Sequence, residues 1–159
     1  MSGFLGLLDN FCAAVADGDG RAFAALFTED GEYDDVFYGL HTGRAAIADM
    51  IDHKFHRDGR DFCWQMIDPV DDGTTGYARW IFSYVGKLPQ TEGKRVLMEG
   101  VGLFKLRDGL VRRYEDVART GEVLMQLNMP NEKLLRILEK MRDQQLDKGE
   151  VRAHLAARR

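Results

Sequence analysis

The chain has 159 residues, a length typical of one compact domain, with 45% hydrophobic and 30% charged residues as in ordinary globular proteins. The formal net charge of −4 argues against a nucleic-acid-binding surface, and no apolar run reaches the roughly 20 residues that span a bilayer. Cys12 and Cys63 fit no metal spacing and are predicted to be buried free thiols, so we expect a cytoplasmic protein with no nucleic-acid or membrane partner.

Two helices are predicted at the start of the chain. The first is indicated by apolar residues that form one stripe at helical spacing: Phe4, Leu7, Leu8, Phe11 and Val15. The pair Asp17-Gly18 ends this helix, and Asp19 is placed to cap a short second one. A turn then leads into a short strand over Glu32 to Tyr38, and Thr42 is the expected cap of a third helix.

Longer strands are predicted in the second half of the chain, from stretches rich in aromatic and branched residues. They are Asp61 to Ile67, Thr75 to Val85, Arg95 to Leu106 and Leu110 to Ala118. From about Asn131 an amphipathic helix is predicted to continue to about Leu155, with fraying beyond Val151. Helices that are separate from hairpin-linked strands indicate an α+β fold, in which a single curved antiparallel sheet wraps around helices. Its concave face is the default place for a ligand.

The candidate chemistry is a set of carboxylates and one arginine on aromatic strands. Asp34 and Asp35 lie on the first strand, Arg79 on a middle strand and Asp116 on the last, on the same face as Tyr114. A carboxylate in an apolar pocket has a raised pKa and can act as acid or base near neutral pH, whereas a neighbouring arginine holds it ionised. The alternatives are a structural ion pair between Arg79 and Asp116, or exposure of these charges on the outer face.

The remaining candidates point to binding rather than to a metal centre. His41 precedes the third helix, where it can reach the rim of a pocket. Trp64 is an aromatic of a kind that more often belongs to a core or an interface than to a ligand contact. His53 and His56 are spaced i, i+3 on a helix but have no evident third ligand. We therefore expect neither a metal nor a cofactor.

Several stretches together resemble a known superfamily. The openings of NTF2-like domains are similar to two segments here, Gly18-Asp19 to Asp30-Gly31 and Gly39 to Ile47. SnoaL-like polyketide cyclases resemble the second half at three places: Arg79-Trp80 with its hairpin, Asp108-Gly109-Leu110-Val111 with Asp116, and Gln126-Leu127. The resemblance covers about residues 3–129. It implies an NTF2-like cone over residues 1–129, with residues 130–159 as a C-terminal helical extension of the same domain.

The resemblance also implies site residues. Asp116 falls where SnoaL-like cyclases and limonene-epoxide hydrolases place a catalytic aspartate. Tyr33 and Asp35 match positions that help to bind water in the hydrolases, and Arg79 matches their arginine only if the hairpin after it is longer here. The second aspartate of that group would then fall at Ile81, which argues against epoxide hydrolysis.

Ketosteroid isomerases are a third comparison, and a weaker one. Asp34 matches their base by spacing, but Phe11 replaces their oxyanion tyrosine, so enolate stabilisation would lose a main donor.

The expected activity is that of a cofactor-independent SnoaL-like enzyme acting on a small, largely apolar, carbonyl-bearing or polycyclic molecule. Asp116 would be the general acid/base, assisted by Arg79 and Asp35, and the expected substrate-binding residues are Tyr33, Asp34, His41, Trp64 and Tyr114. The alternatives are a non-catalytic small-molecule-binding protein and a hydrolase related to limonene-epoxide hydrolase.

The resemblance further implies a homodimer through the outer face of the sheet. If Arg79 faces the pocket, strand alternation turns an aromatic row outward as the dimer patch: Trp80, Phe82 and Tyr84. The alternative is that the C-terminal helix covers this row within one chain. Gly100 and Gly102 are expected to widen the cavity opposite Asp116.

Overall fold

The computed structural model describes residues 3–158. Helices and two strands form the first part of the chain, four more strands follow, and helices end it. The helices are α1 (Phe4–Asp17), α2 (Gly20–Ala25), α3 (Arg44–Met50), which runs into a π-helical turn (Ile51–Phe55) and α4 (His56–Asp58), then α5 (Thr120–Gln126), α6 (Asn131–Asp147) and α7 (Gly149–Ala156). The strands are β1 (Phe27–Asp35), β2 (Gly39–Thr42), β3 (Gly59–Asp71), β4 (Thr75–Gly86), β5 (Arg95–Arg107) and β6 (Leu110–Ala118).

The strands form one mixed sheet in the order β2-β1-β6-β5-β4-β3. Neighbouring strands are antiparallel except β1 and β6, which pair in parallel. The α+β fold predicted from the sequence is confirmed, but the sheet is not antiparallel throughout. The parallel pair is possible because β1 and β6 are far apart in sequence, whereas a hairpin forces its two strands to be antiparallel.

Most of the helices and strands lie where the local sequence pattern predicted them. Asp19 caps α2 by accepting a hydrogen bond from Ala22 N at 2.8 Å, as predicted. The strand predicted over Glu32 to Tyr38 instead runs over Phe27–Asp35, and a second strand, Gly39–Thr42, follows and pairs with it in antiparallel fashion. Gly43 rather than Thr42 precedes α3. The last helix begins at Asn131 as predicted but breaks at Lys148, and α7 then continues to Ala156 instead of fraying from Val151.

The core is an aromatic cluster between α1 and the concave face of the sheet. Phe11 of α1 is fully buried at its centre. Its ring lies 4.6 to 6.4 Å, centroid to centroid, from six others: Phe23, Phe27, Tyr33, Trp64, Phe104 and Tyr114. Rings at such separations pack edge-to-face or offset and together remove a large apolar area from water.

A second, smaller core joins the C-terminal helices to the sheet. Val96 of β5 packs with Val123, Leu124 and Leu127 of the α5 region. Half-buried residues of α6 cover this group: Leu134, Ile137 and Leu138. The start of α6 therefore packs on its own chain.

The two faces of β4 are the reverse of the prediction. Trp80 and Phe82 are 4% exposed and face the interior, whereas Arg79 is exposed on the outer face. The reason is that α1 covers the concave face, where burying large rings is more favourable than burying a guanidinium. The predicted aromatic dimer patch is therefore wrong. The outer face instead exposes smaller apolar groups: Tyr77, Leu97, Val101 and Val117.

Cys12 and Cys63 differ in their exposure to solvent. Both are free, and Cys12 is partly buried, which raises the pKa of its thiol to about 12. Cys63 is exposed, contrary to the prediction, because it alternates on β3 with the inward-facing Phe62 and Trp64. Within residues 3–158, no helix combines the length and the apolar character needed to cross a membrane.

The aromatic core predicts a strong dependence on Phe11. Phe11→Ala is expected to lower the free energy of unfolding by about 3–5 kcal/mol, the usual cost of deleting a buried ring. Leu5→Ala is the matched control, because Leu5 lies on the same helix and is 54% exposed; its effect should stay within about 0.5 kcal/mol. Urea unfolding followed by circular dichroism measures both, and equal effects would contradict the central place of Phe11.

Candidate functional site

The candidate site is formed where β1 and β6 run parallel to each other. Tyr33 pairs with Tyr114, and Asp34 pairs with Glu115, so the same register brings Asp35 beside Asp116. Tyr33 and Tyr114 are fully buried, with ring centroids 4.8 Å apart. Because strand residues alternate, both aspartates share the concave face with these rings. The structure thus brings together Tyr33, Asp35, Tyr114 and Asp116.

Asp116 sits among hydrogen-bond donors in an apolar surrounding. The Tyr114 hydroxyl donates to Asp116 Oδ1, and the Trp80 indole lies near the same carboxyl. Burial raises the pKa of Asp116 well above its usual range, and the charge of Asp35 raises it further. The Tyr114 hydrogen bond opposes this rise, and so does the nearby Trp80 N–H, although its geometry falls short of a hydrogen bond; neither cancels the rise. Asp116 is therefore a carboxyl that keeps its proton at pH values where exposed aspartates have lost theirs.

Asp35, unlike Asp116, accepts its hydrogen bonds from the backbone. Its Oδ1 accepts hydrogen bonds from the backbone N–H of Phe37 at 2.8 Å and of Tyr38 at 2.7 Å. Burial raises the pKa of Asp35 to about 6, and these two backbone bonds limit the rise because they favour the charged form. Two neighbouring carboxyls with different surroundings therefore share the interior, and Asp35 is the more readily ionised of the two.

Several donors beside this pair lack an acceptor. Among residues 3–158, Tyr33 Oη, Trp64 Nε1 and Trp80 Nε1 are buried polar atoms without a hydrogen-bond partner of suitable geometry. A buried polar group that makes no hydrogen bond costs roughly 1–3 kcal/mol. Oxygen atoms of a small molecule are suitable acceptors for such groups.

A cleft of about 410 Å³ lies between α1 and β3. Its lining comes from these two elements alone: Leu8, Asp9, Cys12, Trp64, Gln65, Met66 and Ile67. Trp64 also packs against Trp80 and Tyr114, with ring centroids 5.9 and 6.4 Å away. Trp64 therefore connects the cleft with the rings around Asp116.

The glycines of β5 do not open a cavity, contrary to expectation. A Cβ on Gly102, the residue that pairs with Asp116, would lie 2.8 Å from the Tyr114 ring. A Cβ on Gly100 would lie 2.6 Å from the Trp80 ring and 2.4 Å from a backbone carbonyl oxygen. These glycines therefore make room for aromatic rings that surround Asp116.

Two predicted site residues lie outside this cluster. Arg79 is on the outer face, where Nη1 forms an ion pair with Asp68 Oδ2 at 3.0 Å, so it neither contacts nor pairs with Asp116. Asp34 also turns to the outer face, where its Oδ2 accepts from Arg113 Nη2 at 2.9 Å. Both corrections follow from strand alternation, since Trp80 and Asp35 occupy the inward positions.

His41 lies on the concave side, and a lysine that the sequence did not single out holds it there. His41 pairs with Tyr33 across the β1–β2 ladder and is 7% exposed. Its Nε2 lies 2.7 Å from Lys54 Nζ, and its Nδ1 lies 2.9 Å from the Gly39 carbonyl oxygen. Lys54 belongs to the π-helical turn, for which the sequence carries no local signal.

No metal centre is built from these residues. Within the described part of the chain, no three His, Cys, Asp or Glu side chains are placed to hold a metal ion. His53 and His56, the pair spaced i, i+3, contact other groups instead. His56 Nε2 lies 2.9 Å from the Val15 carbonyl oxygen at the end of α1, and His53 lies 3.9 Å from Asp49.

Comparison with known proteins identifies the fold. The family model for the SnoaL-like domain matches residues 8–114. A hypothetical protein with a ketosteroid isomerase-like fold from Catenulispora acidiphila, solved with trimethylamine, superposes with a TM-score of 0.69 and 19% identity, over 79% of this chain and 95% of that one. The fold is therefore the ketosteroid isomerase-like, or NTF2-like, α+β cone, as the sequence resemblance implied.

Two further structures of similar fold are those of a candidate cyclase and of an epoxide hydrolase. A candidate polyketide cyclase from Xanthomonas campestris pv. campestris is 26% identical, with a TM-score of 0.64 over 78% of this chain and 96% of that one. An LEH-like epoxide hydrolase from M. tuberculosis is 17% identical, with a TM-score of 0.62 over 77% and 86%. No curated protein matches the sequence.

The buried carboxyl pair predicts how stability changes with pH. Because the pKa of Asp116 is raised in the folded state, the folded protein binds more protons than the unfolded chain above about pH 4. The contribution of Asp116 is therefore fully present below its unfolded pKa and is lost as the pH rises toward its folded pKa. Asp116→Asn removes this contribution, so the variant should gain stability relative to the wild type by up to about 1.4 kcal/mol per pH unit from pH 5 upward.

Thermal or urea unfolding from pH 5 to 8 measures this difference. Asp68→Asn is the control, since its carboxyl is 73% exposed on the outer face, and its curve should run parallel to the wild type. Parallel curves for Asp116→Asn as well would show that Asp116 titrates like an exposed carboxyl.

Proposed function

The chain belongs to the SnoaL-like domain family, and from its interior carboxyl pair we propose that it is a cofactor-independent acid/base enzyme. Its substrate would be a small, largely apolar molecule that bears a carbonyl group, and its reaction an isomerisation, cyclisation or dehydration. The observation that carries the proposal is the placement of Asp35 and Asp116 side by side among buried rings, with different surroundings for each.

In this mechanism the two carboxyls have complementary roles. Asp35, ionised near neutral pH, removes a proton from the carbon next to the substrate carbonyl. Asp116, which keeps its proton, donates a hydrogen bond or the proton itself to the carbonyl oxygen as negative charge develops there. The resulting enol or enolate is reprotonated at another carbon in an isomerisation, or attacks a second carbonyl in a cyclisation. Atoms and charge balance without any redox partner.

The surroundings of the pair support the proposed substrate class. Carbonyl oxygens accept hydrogen bonds, and the unpaired donors of Tyr33, Trp64 and Trp80 offer such bonds in an otherwise aromatic space. Tyr114 would adjust the acidity of Asp116 through its hydroxyl. Trp64, which lines the cleft between α1 and β3, would contact the substrate as it approaches. A flat, partly unsaturated molecule suits contact with these rings.

Hydrolysis of an epoxide is the second candidate, and the geometry favours it less. Tyr33, Asp35 and Asp116 do meet, as in the water-binding part of limonene-epoxide hydrolases. The arginine and second aspartate of that group have no counterparts here, since the inward residues of β4 are Ala78 and Trp80.

The enzyme proposal is tested with neighbouring aspartates that face opposite sides of one strand. Asp116→Asn and Asp35→Asn should each reduce turnover by 10²-fold or more, because each keeps the shape and removes the acid or base. Asp34→Asn is the matched control and should retain activity, since Asp34 pairs with Arg113 on the outer face.

The assay follows solvent deuterium entering carbons next to the carbonyl in a panel of apolar mono- and polycyclic ketones, with epoxide opening measured in parallel. Deuterium incorporation that survives both interior substitutions would contradict the mechanism. Ligand binding by Trp fluorescence without any turnover would instead favour a non-catalytic binding protein, and epoxide opening alone would favour the hydrolase.

We further propose that the protein is a homodimer through the outer face of its sheet. Val101 and Val117 pair across β5 and β6, and Tyr77 and Leu97 lie on the same outer face. Their exposed fractions are 36%, 66%, 46% and 51%, a grouping of apolar side chains that a second copy would cover. Arg79, which pairs with Val101, and Glu99 also lie on this surface, so it carries charged groups among the apolar ones.

Light scattering tests the dimer. The wild type should give about twice the chain mass of 18.1 kDa at micromolar concentration, and Val101→Lys should give a monomer because a charge would be buried at the centre of the contact. Leu155→Lys, at a 48% exposed position of α7, should leave the mass unchanged. A wild-type monomer would contradict the proposal.

A further inference from the structure

Lys54, which is half-buried, and the buried His41 form a hydrogen-bonded polar unit that no step of the proposed mechanism uses. Lys54 has no carboxylate within 4.0 Å among residues 3–158, and its hydrogen-bond partner is the imidazole of His41, at 2.7 Å. An ammonium group can only donate, so His41 Nε2 accepts, and the proton of the ring is on Nδ1. That proton is donated to the Gly39 carbonyl oxygen at 2.9 Å. The ring is therefore neutral and its tautomer is fixed.

The unit lies beside Asp35. Gly39, whose carbonyl holds the His41 ring, pairs with Asp35 across the β1–β2 ladder, and His41 pairs with Tyr33. Paired residues project to the same face, so His41 lies on the concave side with Tyr33 and Asp35. The π-helical turn brings Lys54 over this position from the helical layer. Such turns insert one extra residue and re-aim the side chains around it.

We infer that Lys54, fixed in place by His41, is a positioning residue that keeps Asp35 ionised and leaves the shared proton of the interior pair on Asp116. This inference rests on the proposed acid/base function for its consequence, because a mechanism with one base and one acid needs the two carboxyls in different states. Lys54 acts at a distance through its charge and does not touch the reacting atoms.

The charges around Asp35 agree with this role. The titratable groups that face it are Tyr33 and Asp34 of β1, Tyr38 after it, Tyr114 and Asp116 of β6, and Lys54 with its neutral partner His41. Among these described neighbours Lys54 alone carries a positive charge. Burial raises the pKa of Asp35 most, and the backbone hydrogen bonds from Tyr38 and Phe37 lower it. Asp34 raises it by its charge, and Lys54 lowers it by the opposite charge. Burial also lowers the pKa of His41, which keeps the imidazole neutral beside the ammonium group.

Site-resolved titration of the aspartate carboxyls tests the inference on the full chain, without a substrate. With ¹³C-labelled aspartate, Lys54→Met should raise the apparent pKa of Asp35 from about 6 by roughly half a unit or more, since an opposite charge nearby is removed. Lys54→Arg should largely restore the wild-type value because it keeps the charge. Lys105→Met, which removes an exposed lysine that bonds Thr75 Oγ1, should leave Asp35 unchanged.

His41→Leu provides a second variant in case Lys54→Met folds poorly. Without the imidazole acceptor Lys54 loses its anchor, so the pKa of Asp35 should rise here too, though less than in Lys54→Met. If activity is found, the acidic limb of its pH profile should shift in the same direction. An unchanged Asp35 titration in folded Lys54→Met would overturn the inference.

The result is separable from the fate of the proposed function. A shifted titration together with turnover that survives Asp116→Asn would retain the positioning role and reject the mechanism. An unshifted titration with turnover lost in Asp116→Asn would do the opposite.

Discussion

The packing of aromatic rings around Phe11 is the constraint on which the rest of this structure depends. Six rings from α2, β1, β3, β5 and β6 meet the Phe11 side chain, so one residue of α1 ties the helical layer to the strands on both sides of the site. The same packing fills much of the concave face with apolar rings. A carboxyl placed there loses its hydration, which is the physical origin of the raised pKa of both Asp35 and Asp116.

Strand alternation then separates two kinds of charge. On the outer face, Arg113 of β6 bonds both Glu32 and Asp34 of β1, at 2.6 and 2.9 Å, so these carboxylates are neutralised across the parallel pair. On the inner face, neither Asp35 nor Asp116 forms an ion pair within 4.0 Å among residues 3–158. The outer pairs fix the register of β1 against β6, and that register brings the inner carboxyls side by side. Along β1 and β6, carboxylates paired with Arg113 on the outer face therefore alternate with the two candidate acid/base carboxyls on the inner face.

The inward face of β4 also limits which groups surround the carboxyl pair. Ala78 and Trp80 occupy the inward positions of β4, so this strand supplies a ring and an indole N–H rather than charged groups. The titratable groups nearest the carboxyl pair therefore come from β1 and β6, and the π-helical turn contributes Lys54. Gly100 and Gly102 of β5 admit the rings of Trp80 and Tyr114 against the sheet, which keeps the carboxyl pair closely surrounded.

The sequence by itself determined the α+β class, the apolar stripe of α1, the bounds of β6 and the cap at Asp19, and it singled out Asp116, Asp35 and Tyr33 as candidates. These follow from local periodicity, capping chemistry and motif resemblance, which are written along the chain. Tertiary structure alone decided which face of β4 is inward, that β1 and β6 are parallel, and that Lys54 reaches His41. The alternation of side chains shows which residues share a face of a strand, but it does not show which face the helices cover. The residues of β1 also give no sign that β1 pairs with β6, which lies about 80 residues later. For that reason the sequence placed Arg79 and Asp34 in the site, and only packing turned them out of it.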